Sequence, residues 1–274
     1  MRYCFSNKNS RQAPFTVVEL LSVTILILVI AGLLFPVVNS VKANAKLVQC
    51  QSNLRQLSVA CISYCGDNRG SFPGRTAPGT TAGTEFSWVG GGNKAKGGYF
   101  STSPGSQRFL SPYVGITDDS SDESPPLKVA RCPMDTGAHQ PASVSGNITP
   151  DGKKYWAVCG TSYGAFNWNF TGSGVAYNGI VIWSGSKEVG SRLLSGVKSP
   201  DRYVVMYEAG GFFQLYHKAQ SSKFAVNPEA FWHSAKGGYK WGMVFADGHC
   251  GYVTVDSDGK NLMTTDQYTC DPTK

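Results

Sequence analysis

Residues 15–38 form an uninterrupted apolar run with a single charge, Glu19, and a short basic leader carrying Arg2, Lys8 and Arg11 precedes it. No other feature of the chain restricts its fold so strongly. A membrane-spanning helix needs about 20 apolar residues, and a carboxylate at the centre of a span costs roughly 2.5–3.5 kcal/mol on insertion scales. The run is long enough to span a bilayer, so Glu19 is a charge in need of a partner. Secretory signals have shorter apolar cores, of about 7–15 residues, although Ala43-Asn44-Ala45 does supply a small-x-small site. A plain membrane anchor accounts for the length and leaves Glu19 unexplained.

Beyond Pro36 the apolar pattern narrows to a stripe. Leu47, Cys50, Leu54, Leu57, Cys61 and Tyr64 follow one another at intervals of three or four residues, the spacing of one helical face packed on a partner. Lys42, Lys46, Asn53, Arg55 and Gln56 are assigned to the opposite face. The pattern predicts one helix from about Phe15 to Cys65, stopped at Gly66-Asp67-Asn68. At 1.5 Å per residue it is about 75 Å long, half in membrane and half backing a head. Pro36 either kinks this helix or marks the end of the span.

From Gly66 the composition turns to Gly, Ser, Thr, Pro and aromatic residues. Candidate strands are 203–208, 212–216, 241–245 and 251–255, each rich in β-branched or aromatic residues, with Asp247-Gly248 as a hairpin turn between the last two. These elements imply an α+β fold class, an antiparallel sheet lying on the amphipathic half of the helix. The domain boundaries are a leader at 1–14, a transmembrane segment at 15–38, an amphipathic continuation at 39–65 and a β-rich head at 66–274.

Composition excludes several function classes. Formal net charge is +7, and removal of the three leader cations leaves +4, too dispersed for nucleic acid. Only 16% of residues are charged, against about 25% in typical soluble domains, which suits a Gly- and aromatic-rich extracytoplasmic module. The eight cysteines contain no C-x-x-C pair and no His at zinc-ligand spacing. Disulfides are expected outside the cytoplasm, and the expected pairing joins Cys50 or Cys61 to Cys132. Cys61 and Cys65, four residues apart on the helix, are expected as core neighbours rather than a disulfide.

No G-x-S-x-G, H-E-x-x-H or phosphate-binding loop occurs, so nothing supports an enzyme. His233, Asp247 and His249 are the best candidates for a metal or catalytic cluster, with a turn and strand start as the competing reading. The run Asp118-Asp119-Ser120-Ser121-Asp122-Glu123 offers oxygen ligands of the kind that hold Ca²⁺, against a solvated acidic loop. No other cofactor is expected. Six tryptophans, Trp88, Trp156, Trp168, Trp183, Trp232 and Trp241, serve either a core or an exposed face for glycans or envelope partners.

Phe15-Thr16-Val17-Val18-Glu19-Leu20-Leu21, with its basic leader, resembles the N-terminal signature of type IV prepilins and type II secretion pseudopilins. The resemblance implies cleavage before Phe15 by a prepilin peptidase and methylation of the new α-amine. It also implies that Glu19 pairs with that amine on a neighbouring subunit and sets assembly registry. Where the family has Gly before the Phe, this chain has Pro14; an uncut chain would keep a single span with Glu19 unpaired. The C-terminal segments Phe231-Trp232-His233 and Phe245-Ala246-Asp247-Gly248-His249 look like the H-x-D-G region of a large bacterial group of prepilin-like proteins. Asn53-Leu54-Arg55-Gln56-Leu57 and Cys132-Pro133-Met134-Asp135 look like other segments of that group. The implied location is the bacterial inner membrane with a periplasmic head, the implied partners other pilin-like subunits. The alternative is a membrane-tethered binding protein that never polymerises.

Overall fold

The computed structural model describes residues 16–74, 88–90, 107–117, 125–137, 154–156, 161–165, 175–177, 180–182, 193–211, 231–233 and 239–255. The chain divides into two units, residues 1–45 and 46–274. One helix, α1 (Val17–Asp67, 51 residues), runs from the first unit into the second. It continues as helix through Pro36.

The start of α1 is set by Thr16. Its backbone N–H donates to Glu19 Oε2 at 2.8 Å, its hydroxyl donates to the same oxygen at 2.8 Å, and Glu19 N–H donates to Thr16 Oγ1 at 3.2 Å. This reciprocal arrangement is a capping box, which satisfies helix N–H groups that have no intrahelical acceptor. In the first unit Val17, Leu20, Leu21, Leu28, Leu33 and Phe35 are all more than half exposed. This helix has a stretch long and apolar enough to cross a membrane, and none of that stretch is buried.

In the second unit α1 turns amphipathic and becomes core. Cys50, Leu54, Leu57, Ala60, Cys61 and Cys65 are buried, while Val48 and Val59 face outward. The face assignment fails at one residue, Asn53, which is 1% exposed. Its Nδ2 donates to the carbonyls of Lys128 (3.0 Å) and Arg131 (2.8 Å), capping the end of the 3-10 helix Pro125–Ala130. Polarity alone misassigned it, because a buried amide is tolerated where backbone acceptors meet it.

The helix ends at Asp67, and the residue that terminates it is not Gly66. Gly70 N–H reaches back to Cys65 C=O at 2.7 Å, the outer bond of a Schellman motif, with Arg69 at φ 56° in the left-handed position. Gly66 sits inside the last turn with open space around it.

The head holds a four-stranded antiparallel sheet in the order β1-β4-β5-β6, built from β1 (Tyr163–Ala165), β4 (Val204–Glu208), β5 (Tyr239–Phe245) and β6 (Cys250–Val255). The hairpin of β2 (Val175–Tyr177) and β3 (Ile180–Ile182) forms a second sheet. The strands expected at 203–208, 241–245 and 251–255 are present with small shifts of boundary, and the one at 212–216 lies outside the described residues. Every residue of β4 is buried, as befits a central strand covered on both faces. Gly248, at φ 95° in the β5–β6 turn, rests on α1, where the Ser58 hydroxyl donates to its carbonyl.

Arg69 occupies a backbone region that costs a side-chain-bearing residue roughly 1–2 kcal/mol and costs glycine little. Arg69→Gly is therefore expected to stabilise the head, by about 0.5–1 kcal/mol after the added entropy of the unfolded chain. Urea unfolding of the detergent-solubilised protein, followed by tryptophan fluorescence, checks this; a lower midpoint would show that Arg69 contributes contacts outweighing its strain.

Candidate functional site

The polar centre of the head is built where α1, the segment 128–137, β1 and β4 meet. Cys50 on α1 and Cys132 form a disulfide with Cα atoms 5.3 Å apart, both residues being buried. Of the two expected partners for Cys132, Cys50 makes the bond. Cys61 is a free buried thiol that hydrogen-bonds Cys65. That bond pushes the Cys61 thiol up, burial adding to it, and holds Cys65 below the ordinary thiol range. Closing a separation of 82 residues, the disulfide contributes roughly 4–5 kcal/mol in the chain-entropy account.

Asp135 organises the strand beside it. Its Oδ2 accepts from the Ser162 hydroxyl at 2.7 Å and from Trp156 N–H at 3.3 Å, and Oδ1 accepts from Gly137 N–H at 2.8 Å. Ser162 Oγ in turn accepts from Cys132 N–H at 3.1 Å, while Ser162 N–H donates to Ala130 C=O at 2.8 Å. The disulfide loop is thereby pinned to the entry of β1. Burial pushes the Asp135 carboxyl above its ordinary range, with the hydrogen bonds from Ser162, Gly137, Tyr155 and Trp156 opposing that rise.

The third component is a buried carboxylate–imidazole pair. Glu208, last residue of β4, lies 2.7 Å from His233 Nε2 through Oε1, and the two residues are 3% and 5% exposed. Glu208 Oε2 accepts from Gly242 N–H at 3.0 Å. A Cβ at 242 would stand 2.7 Å from the Glu208 carboxyl carbon, so the carboxyl keeps this position only beside glycine. Nε2 also lies 3.3 Å from Cys132 Sγ and 3.3 Å from the Tyr252 hydroxyl. Burial and the Glu208 charge push the Tyr163 and Tyr252 hydroxyls up, which keeps both phenols neutral beside the carboxylate.

The three sequence candidates do not share a centre. His233 belongs to this buried network, whereas Asp247 and His249 pair with each other through Oδ1 and Nδ1 at 2.7 Å on the exposed β5–β6 turn. There Asp247 Oδ1 also accepts His249 N–H, and the His249 ring stacks on Phe245 at 4.1 Å. Both residues stabilise a turn whose left-handed position is Gly248.

The tryptophans divide similarly. Trp88, Trp232 and Trp241 are buried, and half-buried Trp156 lies under the Arg131 guanidinium at 4.3 Å. These four build no exposed aromatic face; Trp168 and Trp183 lie outside the described residues, as do Pro14, Phe15 and the acidic run 118–123.

Sequence reasoning missed Glu208, Ser162 and Tyr252, which carry no motif, and Asn53 as a buried clamp. It also missed Thr16, although Thr-x-x-Glu ahead of an apolar run is a recognisable capping signature. Glu19, expected to be unpaired in the intact chain, already accepts two hydrogen bonds from Thr16.

A long N-terminal helix whose second half packs under an antiparallel sheet is the pilin-like α+β arrangement. The chain belongs to the family described as "protein of unknown function (DUF1559)" (SBP_bac_10), whose model matches residues 39–198, more than half of its length. The match takes in Cys50, Asn53, Cys132, Asp135 and Ser162, and leaves out Glu19, His233 and the Asp247-Gly248 turn. No curated protein and no solved structure matches.

Because the Asp135 carboxyl is raised in the folded state, its contribution to stability is fully present below the unfolded value, near 3.8, and is lost as pH rises through the higher folded value. The difference in unfolding free energy between wild type and Asp135→Asn is therefore expected to shift in favour of the variant as pH rises from 3.5 to 7. Urea titrations of both proteins at the two pH values measure it. A difference that moves toward wild type over that interval would contradict the assigned shift.

Proposed function

We propose that this chain is a non-enzymatic pilin-like subunit of the bacterial inner membrane. In this reading a prepilin peptidase cuts it before Phe15 and methylates the new amine, and it polymerises through α1 into a type II secretion pseudopilus or type IV pilus-like filament. The observation that carries the proposal is the two-part character of α1. Its first half is apolar and uncovered, and its second half is the hydrophobic floor of the head. A helix that served only to build the head would have no use for the first half. Packing that half among copies of itself covers the surface that a single chain leaves bare.

Glu19 gains a two-stage role in this scheme. Before assembly, Thr16 supplies its hydrogen bonds through Oε2, which lowers the cost of carrying a carboxylate into the bilayer. Cleavage before Phe15 then creates a cationic amine next to Thr16. In the filament the amine of a neighbouring subunit pairs with the carboxylate, and only one axial offset between helices brings the two together. A pair of this kind fixes register more than it adds stability.

The decisive measurement is mass spectrometry of the N-terminus of membrane-extracted protein together with crosslinking of intact cells. The expected mature chain begins at methylated Phe15. Glu19→Ala is expected to leave membrane insertion unchanged and to reduce filament-length crosslinked oligomers at least tenfold. An intact leader would overturn the processed-subunit reading, and wild-type crosslinking in the variant would remove the role given to Glu19.

A further inference from the structure

The buried network around Cys132 holds a donor set that no part of the pilin-like reading uses. Cys50 Sγ, Cys132 Sγ and His233 Nε2 all lie within 4.8 Å of one another. Glu208 lies outside this group and touches it through the imidazole. Its Oε1 approaches Nε2 to 2.7 Å, yet the approach is not aligned as a hydrogen bond, so Oε1 has no hydrogen-bond partner among the described residues. His233 Nδ1 is likewise without one there. Nε2 therefore stands between a carboxylate oxygen at 2.7 Å and the Cys132 sulfur at 3.3 Å.

We propose that the head carries a redox-gated site for a divalent thiophilic metal of the zinc class, closed by the disulfide when oxidised and by the metal when reduced. Two thiolates and one imidazole form three corners of a tetrahedral set that zinc accepts, a solvent oxygen taking the fourth, with bonds of about 2.3 Å to sulfur and 2.0–2.2 Å to nitrogen and oxygen. Tetrahedral angles at those bond lengths place S and N donors about 3.5 Å apart and S and S about 3.8 Å apart. The 3.3 Å between Cys132 Sγ and Nε2 is already close to the first value. The second is reached when the sulfur–sulfur bond opens. Both crosslinks join the same two points, α1 at Cys50 and the segment at Cys132, so the fold tolerates either closure.

The chemistry balances with a thiol reductant. Two thiols reduce the Cys50–Cys132 bond by two electrons, becoming a disulfide themselves and leaving two protein thiols. The metal ion then displaces the two thiol protons to solvent and binds the thiolates. Metal at Nε2 requires the imidazole proton to reside on Nδ1. A disulfide oxidant reverses the sequence: it takes the two electrons and two protons, leaves as two thiols, and the metal ion is released as the protein sulfurs rejoin. A head that reaches its compartment before an oxidant does would be held together by metal until the disulfide forms.

Full-length protein in detergent, unfolded, reduced with excess thiol, freed of reductant and refolded anaerobically with one equivalent of Zn²⁺, provides the test. X-ray absorption at the zinc edge of wild type is expected to show two sulfur and two nitrogen or oxygen neighbours. Co²⁺ in place of Zn²⁺ is expected to give thiolate-to-cobalt charge transfer and intense tetrahedral visible bands. Those bands should vanish in Cys50→Ser and persist in Cys61→Ser/Cys65→Ser, the other buried thiol pair. His233→Ala should weaken cobalt binding at least tenfold, with near-ultraviolet circular dichroism of its oxidised form reporting whether it folds. Zinc bound by light atoms alone, bands dependent on Cys61 and Cys65 instead of Cys50, or a folded His233→Ala with wild-type affinity would each overturn the proposal. So would a refolded wild type that retains no metal.

Discussion

The position of the four-stranded sheet depends on the clamp between α1 and the segment 128–135. Cys50 supplies the covalent part, and Asn53, one helical turn on, supplies two hydrogen bonds to the carbonyls of Lys128 and Arg131. The clamped segment then dictates where β1 begins, because Ala130 C=O and Cys132 N–H are both engaged by Ser162. β1 pairs with β4, and β4 with β5, so the sheet inherits its position on the helix from this one junction. Ser58 repeats the device at the far side, tying α1 to the β5–β6 turn.

The clamp also explains why so many polar groups are buried at the centre of a small head. Glu208, Asp135, Ser162 and Asn53 are each costly to desolvate, and each is met by backbone or side-chain partners from a different element. Such a network contributes little net stability over an apolar core of equal volume. Its effect is on uniqueness: few other packings satisfy all of these groups at once.

Several elements are legible without any structure. Three-and-four spacing identifies the buried face of α1, since apolar side chains recurring along one side of a helix have to be covered. Asp-Gly between two β-rich runs identifies the β5–β6 turn for an equally local reason, the left-handed backbone at Gly248. Other local signals are just as readable in principle and easily passed over, among them Thr16-x-x-Glu19 and the Asn178-Gly179 pair between the two strands of the β2–β3 hairpin. Gly66 carries the sequence signal of a helix stop, yet the stop is the Arg69-Gly70 pair, because a glycine announces conformational freedom without showing that it is used.

By itself, then, the sequence determined the long helix, its apolar first half with the single carboxylate, and the β-rich character of the head. All of these rest on interactions within a few residues or on periodic solvent exclusion. Only the tertiary structure decided that Cys50 and not Cys61 meets Cys132, that Asn53 turns inward, and that His233 joins Glu208 rather than Asp247 and His249. Those choices depend on which elements pack together across separations of up to 82 residues. A contact at that range leaves no spacing pattern in either of its partners.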